Sequence, residues 1–171
     1  MVRLPYQKRR EIPIDFSGEK MYPAHSFISD GKQQNSQKPL ILAVEDNDDN
    51  LLLISYALES LGCQFICQSD SSSTFVVAKE YQPDLIMLDI LLPSLSGIEV
   101  VRYLKNDSLT YKIPVLAVTA LATREDRERI LQAGFDDYIS KPFLIEDLET
   151  VVRRLLRGKL EPHSSYELCQ D

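Results

Sequence analysis

Hydrophobic and polar positions follow one rhythm between residues 39 and 157 and another outside it. Inside, short all-apolar runs alternate with stretches where apolar residues recur every three or four positions. Leu40-Ile41-Leu42-Ala43-Val44 is a run of strand length ending in acid. Leu51, Leu52, Ile54, Leu58 and Leu61 then mark a broad helical face, stopped by Gly62. Gln64 to Gln68 predicts a short strand, and Ser71 to Tyr81 a helix closed by Pro83. Leu85-Ile86-Met87-Leu88 is apolar on both faces, as a central parallel strand should be. Ser96 and Glu99 have the spacing of a capping box, and Val100, Val101 and Leu104 continue that helix. Val115 to Val118 is another buried strand. Thr123 and Asp126 repeat the cap spacing before Ile130, Leu131 and Ala133, with Gly134 as the stop. Asp137 to Ser140 forms the last strand, and Glu146 to Arg157 the last helix, with Leu148, Val151, Val152 and Leu155 at helical spacing.

Strands alternating with helices through short links predict a parallel sheet covered on both faces. Ligands of such sheets bind beyond the carboxyl ends of the strands. Candidate chemistry is therefore sought at those ends.

Outside this block the rhythm disappears. Residues 1–38 are rich in turn formers (Pro5, Pro13, Gly18, Pro23, Gly31) and read as a flexible arm, because they offer too little apolar area to offset chain entropy. Within the arm, Leu4 to Arg10 reads as a solvated tail, with a docking peptide as the alternative. Residues 158–171 read as a polar tail. Charge divides along the same lines: +3 in 1–38, −8 in 39–157 and −2 in 158–171, for −7 overall.

That acidic balance argues against nucleic acid or anionic lipid as the main partner. The basic groups of the arm are offset by acids and lack a recognition helix, so direct nucleic-acid binding is disfavoured. Leu85 to Leu92, the longest apolar stretch, is interrupted by Asp89 and falls short of the ~20 residues that span a bilayer. No apolar run follows Lys8, Arg9 and Arg10, so no signal peptide is read. Cys63, Cys67 and Cys169 cannot pair completely, and His25 and His163 are remote from them in sequence. Ordinary thiols in a reducing cytoplasm are the expectation.

Four strand ends carry distinctive groups: Glu45 and Asp46 after the first strand, Asp89 after the third, Thr119 after the fourth and Lys141 at the end of the fifth. Acids gathered in a small volume repel one another, and a hard divalent cation with oxygen ligands, Mg2+ above all, relieves that cost. A carboxylate attacking a phosphoryl group needs a metal, a cation and a hydrogen-bond donor around the phosphoryl oxygens. Asp89 fits the nucleophile, Asp46 and Glu45 the metal holders, Lys141 the cation and Thr119 the donor. Asp48 and Asp49 fit first-turn helix acids, and Asp136 and Asp137 solvated turn acids.

Residues 39–157 resemble a response-regulator receiver domain of two-component signalling. The resemblance rests on Ile41 to Asn47, on Leu88-Asp89-Ile90-Leu91-Leu92-Pro93 through Gly97, on Val118-Thr119-Ala120, and on Tyr138 to Phe143. It implies a flavodoxin-like (βα)5 α/β fold with strand order 2-1-3-4-5. It implies phosphoryl transfer onto Asp89 from a histidine kinase or histidine phosphotransfer protein, with Mg2+ held by Asp46, Asp89 and the Leu91 backbone carbonyl, and Glu45 acting mainly through water. It further implies a cis Lys141–Pro142 bond and a switch in which Thr119 moves toward the phosphoryl group and Tyr138 turns inward. Output would pass to a downstream protein target through the 123–157 face, which is also compatible with a phosphorylation-dependent dimer.

Leu91 and Leu121 stand two residues after Asp89 and Thr119, where the family places groups that flank the phosphoryl group. Neither can hydrogen-bond a hydrolytic water, so a long-lived phosphoryl group is expected. A haloacid-dehalogenase type of phosphatase would want an aspartate where Leu91 stands. The remaining alternative is a receiver-like interaction module that is not phosphorylated. The expectation is a signalling switch rather than an enzyme.

Overall fold

The computed structural model describes residues 38–121 and 123–160. The elements, in chain order, are β1 (Leu40–Val44), α1 (Asp48–Ser60), β2 (Gln64–Gln68), α2 (Thr74–Tyr81), β3 (Leu85–Asp89), α3 (Gly97–Lys105), β4 (Val115–Thr119), α4 (Arg124–Ala133), β5 (Asp137–Ser140) and α5 (Ile145–Leu155). All strand pairings are parallel, in the order β2-β1-β3-β4-β5. This is the flavodoxin-like α/β arrangement expected from the sequence, with strand order reversing around β1 and β3.

Two apolar layers flank the sheet. Ile41, Ala43, Leu85, Met87, Leu116 and Val118 turn to one face and pack with Leu51, Ile54 and Leu58 of α1 and Leu148 and Val152 of α5. Leu42, Val44, Ile86, Leu88, Val115 and Ala117 turn to the other and meet α2, α3 and α4 through Ala78, Val100, Val101, Leu104 and Ile130. Every residue of β3 and β4 is buried, which explains why their sequences lack alternation.

The helix starts follow local chemistry. Asn47 caps α1 by accepting from Asn50 N at 2.9 Å, and Asp48 and Asp49 occupy the first turn as expected. Full capping boxes open α3, with Ser96 and Glu99, and α4, with Thr123 and Asp126. Gly134 ends α4 with φ at 115°, a left-handed conformation that costs glycine little.

Some expectations are corrected. Helix α2 starts at Thr74, not Ser71, because the buried Ser71 hydroxyl is committed elsewhere: it donates to Leu95 O at 2.8 Å and accepts from Leu95 N at 2.9 Å. Leu52 and Leu131 lie outside the buried stripes of their helices and are exposed. Asp136 and Asp137 are more than solvated turn acids. Asp136 Oδ2 accepts from Val115 N and pairs with Lys105 Nζ, both at 2.8 Å. Asp137 lies in β5 and pairs with Arg154.

Residues 1–37, including the Leu4–Arg10 cluster, and 161–171 lie outside the described residues. Among the described residues no helix is long and apolar enough to cross a membrane.

Candidate active site at the carboxyl edge of the sheet

Because parallel strands end at one edge, residues far apart in sequence meet there. Glu45 leaves β1 with its backbone N–H bonded to Gln68 O of β2 at 2.9 Å, and its side chain is only 1% exposed. Asp46 follows and is exposed, while Asp89 closes β3 and is buried. One carboxylate oxygen from each of Glu45, Asp46 and Asp89 lies within 4.8 Å of the others.

Lys141 supplies the counter-charge. Its backbone N–H donates to Thr119 O at 2.7 Å, which continues the β4–β5 pairing past the strand end. Its ammonium donates to Glu45 Oε2 at 2.5 Å and to Asp89 Oδ2 at 2.6 Å. Burial pushes the Lys141 pKa down, but the hydrogen bonds and charges of Asp89 and Glu45 outweigh it, and the net shift is upward. Lys141 therefore stays cationic across the neutral range.

The remaining oxygens are directed as well. Asp89 Oδ1 accepts from Leu91 N at 2.8 Å, which draws the peptide after β3 against the carboxylate. Glu45 Oε1 accepts from Asn50 Nδ2 at 3.0 Å and Asn47 N at 3.3 Å. Thr119 is fully buried, and its hydroxyl accepts from Leu121 N at 3.1 Å. Tyr138, half-buried on β5, has the Arg127 guanidinium 5.2 Å from its ring centre. The Lys141–Pro142 bond is cis.

Direct side-chain contacts thus link Glu45, Asp89 and Lys141, Asp46 completes the acidic cluster, and Thr119 joins through the backbone of Lys141. Three carboxylates against one ammonium leave a formal charge of −2 on an all-oxygen donor set. That is the chemistry of a site for a small, hard divalent cation. Two contributors were not legible as site residues. Asn50 sits on the first turn of α1, where an amide reads as ordinary helix surface. Ser71 ties the β2–α2 connection to the segment after Asp89, a link between residues 24 apart that no local pattern announces.

The fold and this edge define a class. Residues 41–153 match the model of the response regulator receiver domain, and the chain belongs to that family. Among its relatives is the polar-differentiation response regulator DivK of Brucella anthropi, 43% identical over 105 residues, which span 61% of this chain and 85% of that one. Among solved structures, the receiver domain of a sensor histidine kinase from Pseudomonas aeruginosa is 34% identical with a TM-score of 0.65, over 70% of this chain and 98% of that one. That crystal structure has a magnesium ion coordinated in its active-site cleft. A chemotaxis response regulator of Vibrio cholerae, at 24% identity and a TM-score of 0.67 over 70% of this chain and all of that one, shares the fold.

Proposed function

We propose that this chain is a phosphoacceptor switch in which Asp89 takes a phosphoryl group from a histidine kinase or histidine phosphotransfer protein. The observation that carries the reading is the Lys141 ammonium, held between Asp89 and Glu45 beside the exposed Asp46. In the transfer, an Asp89 carboxylate oxygen attacks phosphorus, an acyl phosphate bond forms, and the phosphorus–nitrogen bond of the donor histidine breaks. The electron pair of that bond stays on the departing imidazole. Asp46, Asp89 and the Leu91 carbonyl, with Glu45 behind them, would hold Mg2+, which when bound offsets negative charge on the phosphoryl oxygens. Lys141 neutralises a second phosphoryl oxygen, and the Thr119 hydroxyl donates to a third.

The acyl phosphate adds about −1.5 to −2 charges at the sheet edge. Lys141 then exchanges part of its contact with Asp89 and Glu45 for the phosphoryl oxygens. Thr119 swings its hydroxyl toward them, and Tyr138 leaves the Arg127 guanidinium for the space that opens. The 123–157 surface, built from α4, β5 and α5, carries the change to a downstream protein target or to a second phosphorylated copy. The switch works to the extent that the phosphoryl group stabilises one arrangement over the other. The setting is the cytoplasm, where such donors act.

Treatment with acetyl phosphate and magnesium is the direct test. Wild type should gain the mass of one phosphoryl group, and Asp89→Asn should gain none. Undiminished labelling of Asp89→Asn would refute the assignment.

A further inference from the structure

Glu45 is the deepest charge in the pocket, and its longer side chain could in principle turn in several ways. Both of its oxygens are nevertheless committed. Oε2 takes the Lys141 ammonium at 2.5 Å, and Oε1 takes the Asn50 amide at 3.0 Å and the more distant Asn47 N–H at 3.3 Å. Asn50 is itself fixed: its backbone N–H donates to the Asn47 cap at 2.9 Å, and the next residue, Leu51, is buried in the core. Acids favour the first turn of a helix, and Asp48 and Asp49 follow that rule. At position 50 an acid would face the Glu45 carboxylate, whereas an amide donates to it.

We propose that Asn50 is a positioning residue of this pocket: its amide fixes the Glu45 carboxylate, so that Glu45 shares Lys141 with Asp89 instead of competing with Asp46 and Asp89 for the cation. Without that amide, Glu45 Oε1 keeps only the long contact to Asn47 N. The carboxylate is then free to close on Lys141 with both oxygens or to turn toward the metal. Either movement changes how the pocket takes Mg2+ before any phosphoryl donor is present. The inference rests on the reading of this edge as a magnesium-dependent acceptor site.

The experiment is a magnesium titration of the full chain without donor, followed by the backbone amide signals of Asp46 and Asp89 in nitrogen-labelled protein. Asn50→Leu keeps the branched side-chain shape and removes the donor. It should move the half-saturating Mg2+ concentration about tenfold, upward where Glu45 closes on Lys141 and downward where it turns to the cation, the scale usual for losing a group that orients a metal-site side chain. Asn50→Ser provides a second, smaller replacement and should do the same. The decisive arm is Glu45→Asp, whose carboxylate is drawn back by one methylene out of reach of the amide. In that background Asn50→Leu should shift the midpoint less than twofold, whereas a merely structural role for Asn50 would leave its effect intact. An unaltered midpoint in both Asn50 variants, or a full effect in the Glu45→Asp background, overturns the proposal. A wild-type spectrum that ignores Mg2+ overturns the metal reading as well, so the two failures are distinct.

Discussion

Gly97 and Asp89 approach so closely that a β-carbon on the glycine would stand 2.4 Å from the Asp89 carbonyl oxygen and 2.8 Å from Ile90 Cα. Both obstacles are backbone, and the Gly97 N–H donates to Ile90 O at 3.0 Å across the same gap. The missing side chain therefore lets α3 start directly beneath the segment that follows Asp89. Gly97→Ala should cost about 2 kcal/mol, typical of overpacking against atoms that cannot yield. It should also slow phosphoryl incorporation, because the peptide after Asp89 must shift. Urea unfolding read alongside acetyl phosphate labelling checks both, and an unchanged unfolding midpoint would contradict the packing argument.

Lys141→Ala leaves Glu45 and Asp89 facing each other without their shared cation. Removing one partner from a buried charge cluster commonly costs about 3 kcal/mol or more. In magnesium-free buffer the variant should unfold at clearly lower urea than wild type, and its labelling by acetyl phosphate should fall steeply. A variant as stable as wild type would mean that solvent already screens the two carboxylates.

Asp136→Ala removes an acceptor from Val115 N and a partner from Lys105, which also donates to Ile113 O at 3.0 Å. Asp136 is exposed, so the expected loss is only about 1 kcal/mol. Hydrogen exchange should localise it: the amide of Val115, protected in wild type, should exchange faster in the variant.

Burial pushes the Cys63 thiol up to about 11 and the Cys67 thiol up to about 12, from an ordinary value of 9.0. The unfolded chain releases these protons from pH 9.0 upward while the native chain keeps them. Their contribution to stability is full below that pH and is lost as pH rises through the native values. Replacing both cysteines with alanine should flatten the decline in stability above pH 9.0. At neutral pH, peptide mapping after iodoacetamide should find both residues unmodified in the folded chain and both modified in denaturant.

Leu91 is exposed and Leu121 half-buried, and neither side chain offers a hydrogen bond to an approaching water. Purified phosphorylated protein in magnesium buffer should keep its label for minutes or longer. Leu91→Asn should shorten that time by about tenfold, the rate equivalent of one added hydrogen bond to the attacking water. Wild-type decay within seconds would sink the idea.

The sheet and its edge were legible because their signals are local. The apolar runs at Leu40–Val44, Leu85–Leu88 and Val115–Val118 allow little but buried strands, and Asp89 at the end of such a run is costly unless it is used. Lys141 and Glu45 could be expected at one edge from topology alone. Their shared contact with Asp89 could not, since it depends on how far side chains reach across strands. The role of Asp136 was missed for a related reason: its partners come from α3 and β4, and an acid next to a turn looks solvated. Ser71 reads as a helix start because the helical stretch begins close after it, at Thr74, and only the fold brings Leu95 to its hydroxyl.

Asp84 holds the opposite end of the sheet. Its Oδ2 accepts from Leu40 N at 2.8 Å, and its Oδ1 pairs with Lys159 at 2.6 Å, so the start of β1 and the chain beyond α5 are fastened to one side chain. Lys38 and Lys159 accordingly leave the domain side by side, a full strand length away from Asp89. A fluorescent reporter attached at Lys38 or Lys159 starts out at the end of the sheet opposite Asp89, leaving the acidic mouth open to a donor protein.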